Sequence, residues 1–111
     1  MKMKPGETVD RYTIAQLCEE KLGEDREDIK PLRKAVKRLE LHHPDLPWAE
    51  LVSLLKQVNR FIWDFEEPIH MGRLDEEPTM AGILSIRVRK LNRVRVGMSS
   101  LITKLCKENG R

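Results

Sequence analysis

Apolar residues recur at alternating spacings of three and four between Leu46 and Glu67, the pattern of a helix with one buried stripe. The stripe comprises Trp48, Leu51, Leu55, Val58, Ile62 and Phe65. Asp45 stands where a helix needs an N-cap, and Pro68 cannot continue the hydrogen-bond ladder. These signals predict a helix over residues 46–67, around which we expect the rest of the chain to be organised.

Three other segments show helical spacing. Thr8 is a candidate N-cap for a first helix over residues 8–22, and Gly23 suits its left-handed exit. Apolar residues also recur at intervals of three or four over residues 28–41 and 79–107, which predicts a second helix and a long final one.

No segment alternates apolar and polar residues as a half-buried strand does. Four helices joined by short turns predict an all-α fold, a four-helix up-and-down bundle with a long C-terminal helix. The chain has 111 residues, so we expect one helical domain over residues 1–111, in which residues 1–7 form a flexible N-terminus.

Polar residues interrupt two of the apolar stripes. Asn59 and Glu66 fall inside the stripe of the third predicted helix, and Arg87 and Arg95 inside that of the fourth. If these helices are antiparallel about the 68–78 turn, Asn59 faces Arg87, and side-chain tilt brings Glu66 and Arg87 together. Asp10 can supply an acceptor to Arg95. We predict a buried polar cluster of these five residues, either a structural ion pair or a site for an anionic ligand.

The net charge of +3 conceals an uneven distribution of charge. Residues 1–80 carry 13 Lys/Arg and 17 Asp/Glu, whereas residues 81–111 carry 8 Lys/Arg and 1 Asp/Glu. Such a split indicates either a nucleic-acid surface or a basic helix packed against acidic ones. The basic residues are spread around the last predicted helix with no aromatic residue between them to stack on bases. We therefore expect the packed helix and keep nucleic-acid binding as an alternative.

The last predicted helix is roughly 45 Å long, against about 33 Å for the third. Its far end carries Leu101, Ile102 and Leu105, which would form a large apolar patch if they were exposed. This predicts a homo-oligomer, most simply a homodimer, with a further protein partner as an option.

The cysteines and the hydropathy indicate a cytoplasmic protein. Cys18 and Cys106 offer neither a disulfide framework nor a metal-type pair, so we expect two buried thiols. No apolar run approaches the ~20 residues that span a bilayer, and we expect no membrane insertion. The start of the chain lacks the pattern of a signal peptide.

The sequence offers few candidate metal ligands. Glu67 and His70 have a Glu-x-x-His spacing, but Pro68 should separate them, and His42-His43 has no partner at a ligand spacing. We assign no metal, cofactor or catalytic residue. A run of carboxylates leaves one enzyme alternative, a Mg²⁺-dependent enzyme acting on nucleotides or nucleotide sugars. It comprises Asp64, Glu66, Glu67, Asp75, Glu76 and Glu77.

Three short motifs follow one another along the chain. They are Asp10-Arg11-Tyr12-Thr13-Ile14, Asn59 followed by Ile62-Trp63-Asp64-Phe65-Glu66-Glu67, and Asn92-Arg93-Val94-Arg95. Together they resemble a family of small uncharacterised bacterial helical proteins. The resemblance adds the secondary candidate site residues Arg11, Trp63, Asp64, Glu67 and Asn92. The family form carries Ile-Arg after the acidic pair, where this chain has Pro68-Ile69-His70.

Members of this family often occur beside surface-polysaccharide and glycosyltransferase functions, which implies an accessory role in glycan assembly. The residues themselves predict a self-associating helical binding module. We therefore expect a binding or accessory protein rather than a stand-alone enzyme.

Overall fold

The computed structural model describes residues 3–109, which form four helices: α1 (Pro5–Leu22), α2 (Ile29–His42), α3 (Trp48–His70) and α4 (Pro78–Asn109). The prediction of an all-α four-helix bundle with a long C-terminal helix is confirmed. Met1 and Lys2, which the sequence analysis assigned to the flexible start, lie outside the described residues, as do Gly110 and Arg111.

Helix α1 is the central element of the bundle, since it packs against each of the other three helices. Asn59 contacts Asp10, and Asp64 contacts Lys21 further along both helices, so α1 and α3 run parallel. Gly6 contacts Thr103 and Asp10 contacts Arg95, so α4 runs antiparallel to α1. The sequence pattern instead singled out α3, because α1 is buried on several sides and has no single clean stripe.

The burial of α1 is not confined to one apolar face. Val9, Ala15 and Leu17 are buried, and so are the polar residues Thr8 and Thr13. The main core joins α1 to the other helices and consists of Val9, Val36, Trp48, Leu55, Ile102 and Cys106. Cys106 is a buried free thiol, whereas Cys18 is only half-buried.

Two helix starts differ from the prediction. Helix α1 begins at Pro5, whose fixed φ suits the first helical position, with Lys4 as N-cap. Thr8 lies inside the helix, where its Oγ1 donates to the Lys4 carbonyl at 3.1 Å. Asp45 makes no side-chain cap for α3; Pro47 precedes that helix. The exit of α1 is confirmed, since Gly23 has a φ of 66°.

Pro68 does not end α3, contrary to the prediction. Because it stands in the last turn, its missing N–H removes only one bond of the ladder, and the helix continues to His70. The backbone N–H of Arg73 donates to the Pro68 carbonyl at 3.0 Å, and Gly72 turns the chain with a φ of 71°. The α3–α4 hairpin therefore reverses later along the chain than expected.

The apolar patch predicted near the end of α4 is present only in part. Leu101 is 49% exposed, but Ile102 is buried and Leu105 half-buried, because the C-terminal half of α4 packs against α1 and α3. The first turns of the helix are also exposed, at Met80, Ile83 and Ile86. Helix α1 packs along residues 95–103 of α4, and this packing accounts for the burial of Ile102.

Helices α1 and α4 approach each other closely at Gly6. The Gly6 backbone N–H donates to Thr103 Oγ1 at 2.9 Å, and Gly6 packs directly against the Ser99 backbone. A Cβ atom on Gly6 would lie 1.8 Å from the Ser99 carbonyl oxygen. The backbone contact requires glycine at this position, because any side chain would overlap the Ser99 carbonyl group.

We expect Gly6→Ala to destabilise the fold by about 1–3 kcal/mol, since the added methyl group must push two helix backbones apart. Urea denaturation monitored by circular dichroism measures this. Gly82→Ala is the matched control, because Gly82 has open space around it and alanine should gain about 0.5–1 kcal/mol inside a helix. Equal effects of the two substitutions would contradict the close α1–α4 contact.

Candidate functional site

A cluster of polar side chains joins α1, α3 and α4 inside the bundle. Asn59, which is buried, donates from Nδ2 to Asp10 Oδ1 and to Thr13 Oγ1, both at 2.9 Å. Thr13 Oγ1 in turn donates to the Asp10 carbonyl at 2.8 Å. Arg95 completes the cluster, with its Nε 3.6 Å from Asp10 Oδ2. The predicted contact between Asp10 and Arg95 is thus present.

Two members of the predicted cluster are not part of it. Arg87 is exposed and lies over the Phe65 ring, with 5.8 Å between its guanidinium carbon and the ring centroid. Glu66 makes no ion pair within the part of the chain that the structure describes. The predicted Glu66–Arg87 pair is therefore wrong. Because the hairpin reverses late, Asn59 lies level with Arg95, eight residues or about two turns from the predicted partner.

A cleft opens beside this cluster, between α1 and α3, and we name it the Trp63 cleft. It has an inner part of about 160 Å³ and an outer part of about 440 Å³, and Trp63 and Glu66 line both. The inner part is completed by Ile14, Leu17, Asn59, Ile62 and Arg95. The outer part is completed by Lys21, Leu22, Glu67, His70 and Met71.

Most of the candidates named from sequence thus surround one cleft. Asn59, Trp63, Glu66 and Arg95 line its inner part, and Asp10 lies behind Arg95. The secondary candidates are more scattered. Glu67 is exposed at the outer rim, Asp64 pairs with Lys21 at 2.8 Å, Arg11 is exposed and Asn92 is half-buried.

Surface ion pairs hold α1 against α3 along the cleft side. Glu20 accepts from Lys56 Nζ at 2.5 Å and from Arg60 Nη2 at 3.0 Å. The hydrogen bond from Lys56, helped by the charge of Arg60, lowers the pKa of Glu20 below its ordinary value. These groups are well exposed, so we expect each pair to contribute little to stability.

The predicted separation of Glu67 and His70 by Pro68 is wrong, since α3 continues through the proline and both side chains line the outer cleft. A third ligand is missing, however. Over residues 3–109 no group of three or more His, Cys, Asp or Glu side chains is placed to hold a metal ion.

A second surface feature is an apolar groove of about 400 Å³ between α3 and α4. Leu54 and Phe61 of α3 are 57% and 44% exposed, and Val94 and Leu101 of α4 are each 49% exposed. Gln57 is the polar residue of its lining. Sequence reasoning missed this groove, although Leu54 and Phe61, and likewise Val94 and Leu101, are spaced seven apart beside the main stripes.

Thr13 is the cluster member that sequence reasoning missed. Its hydroxyl accepts a hydrogen bond from Asn59 and donates one to the α1 backbone. Although Thr13 stands in the first short motif, an uncharged hydroxyl group does not indicate from the sequence which helix it faces. Its burial follows from the central place of α1, which only the packing of all four helices determines.

Comparisons with models of protein families, with curated proteins and with solved structures found no match. None of the helices in the described part of the chain is long and apolar enough to cross a membrane. The function must therefore be argued from the geometry of the cleft and of the groove.

We expect Asn59→Asp to lower stability at pH 7 by about 3–5 kcal/mol, the usual cost of an uncompensated buried charge. The new carboxyl group would face Asp10, and this like charge raises its folded pKa above the unfolded value of about 4. Its neutral form is then compatible with folding, so the loss should shrink as the pH falls towards 4 and grow as the pH rises.

Thermal melts between pH 4 and pH 8 measure this dependence. Asn92→Asp is the matched control, since it makes the same amide-to-carboxyl change at a half-buried position of α4 outside the polar cluster and the groove. If Asn59→Asp followed the pH profile of the control, Asn59 would not face Asp10.

Proposed function

We propose that this protein is a cytoplasmic helical binding module that acts as a homodimer, with a second copy covering the apolar groove between α3 and α4. The observation that carries the proposal is the groove itself, whose four half-exposed apolar side chains come from two adjacent helices. Monomeric proteins rarely leave a continuous apolar patch of this kind uncovered.

Charge favours one arrangement of the two copies. The exposed side of α4 carries Lys90, Arg93 and Lys104, whereas Glu50 is exposed on α3 one turn before Leu54, a residue of the groove. A twofold axis parallel to the helices places α3 of one copy on α4 of the other, so unlike charges flank the interface. A perpendicular axis would place α4 on α4 and bring the basic residues together, which opposes association.

The accessory role in glycan assembly is a further part of the proposal, and it rests on the resemblance of the three sequence motifs. A dimer suits such a role, because it presents two Trp63 clefts from one particle. The groove and the cleft lie on different sides of α3, so dimerisation leaves the cleft open.

We expect the protein to have twice its 13.0 kDa chain mass in light scattering at high micromolar concentration, and Leu101→Glu to convert it to the monomer. The glutamate would bring a charge into a desolvated interface, which costs far more there than in water.

Leu41→Glu is the control, because Leu41 is 80% exposed at the end of α2 and lies outside the groove. It should leave the dimer intact. A chain that scatters as a 13.0 kDa particle at every concentration would contradict the proposal.

A further inference from the structure

We infer that the Trp63 cleft binds a primary alkylammonium group, with the ammonium held by Glu66 and Trp63 and the alkyl chain in the inner part. The charged side chains of the cleft favour a cationic ligand. Lys21 is paired with Asp64 at 2.8 Å, and Arg95 is paired with Asp10 at 3.6 Å. Within residues 3–109, Glu66 and Glu67 have no ion pair, so the uncompensated charge of the cleft is negative.

Glu66 is the more informative of these two carboxylates. Unlike the exposed Glu67, it is half-buried, and it lines both the inner and the outer part of the cleft. Removing part of the water from a carboxylate costs free energy unless another group takes its place. A cationic ligand supplies that group, whereas an anion would be repelled.

The walls of the cleft suit the remainder of such a ligand. Trp63 lies beside Glu66, and an indole face attracts an ammonium group most strongly among the aromatic rings. Ile14, Leu17 and Ile62 make the inner walls apolar. The inner part measures about 160 Å³, which gives room for an aliphatic chain of about four or five carbons along these apolar side chains.

The inner end of the cleft offers an acceptor and no free charge. Asn59 uses Nδ2 for Asp10 and Thr13, which leaves its amide oxygen as the group it can offer to a ligand. The positive charge of Arg95 is balanced by Asp10. This pairing removes the basis for the anionic ligand considered from the sequence, which required unpaired donors at this position.

The experiment is a calorimetric titration of the full chain with three ligands of equal size. We expect n-butylammonium to bind, and neutral n-butanol and anionic butanoate to bind at least roughly tenfold more weakly, since a charged hydrogen bond is lost. Equal binding of butanol, or tighter binding of butanoate, would overturn the inference. A lysine-containing peptide in the same titration separates a free amine from a protein side chain as the source of the group.

Variants test the assignment of residues. Glu66→Gln should weaken n-butylammonium binding roughly tenfold or more, and Trp63→Leu several-fold. Glu76→Gln is the matched control, because Glu76 is exposed outside the cleft. Glu66→Gln should melt close to the unaltered protein, since Glu66 has no described partner to lose. Unchanged affinity in Glu66→Gln would overturn the inference.

Three further measurements separate amine binding from effects of folding, of a metal site and of self-association. In the unaltered protein, n-butylammonium should shift the NMR signal of the Trp63 indole N–H, and the absence of a shift would count against the cleft. Mg²⁺ at millimolar concentration should leave amine binding unchanged, whereas full displacement by Mg²⁺ would indicate a metal site instead. Leu101→Glu should retain amine binding even as a monomer, which separates this inference from the proposed dimer.

Discussion

The carboxylate of Asp10 imposes the strongest constraint on this bundle, because its side chain is only 14% exposed and must be satisfied where it lies. A buried charge is tolerated when it is both paired and hydrogen-bonded. Asn59 of α3 donates a hydrogen bond to it, and Arg95 of α4 supplies the opposite charge. These contacts require three helices to meet at one level, which defines the register of α3 and α4 relative to α1.

The same contact determines the electrostatics of the neighbouring cleft. Arg95 lies against Asp10 and makes no ion pair with Glu66, although both residues line the inner part of the Trp63 cleft, so Glu66 has no cationic partner among residues 3–109. The cleft therefore keeps a negative charge next to an aromatic wall. Asp10, which contacts both α3 and α4, thus also influences the charge of the cleft and the class of ligand proposed for it.

Helix α3 separates two surfaces of different chemistry. Asn59, Trp63 and Glu66 lie on its side towards α1, and Leu54 and Phe61 lie on its side towards α4. The first side combines charge with an aromatic ring, and the second is almost entirely apolar. This division would let the proposed dimer associate through one surface and leave the other open for the proposed ligand.

Local sequence patterns determined the four helices, most of their apolar stripes and the glycine exit of α1, because spacing and capping act within a few residues. They also predicted the contact between Asp10 and Arg95. Only the tertiary structure decided that α1 is central, that Pro68 lies within α3, and that Arg95 rather than Arg87 lies level with Asn59. The register of two helices depends on where their hairpin reverses and on the buried charge they must satisfy, and neither is visible in the spacing of one helix.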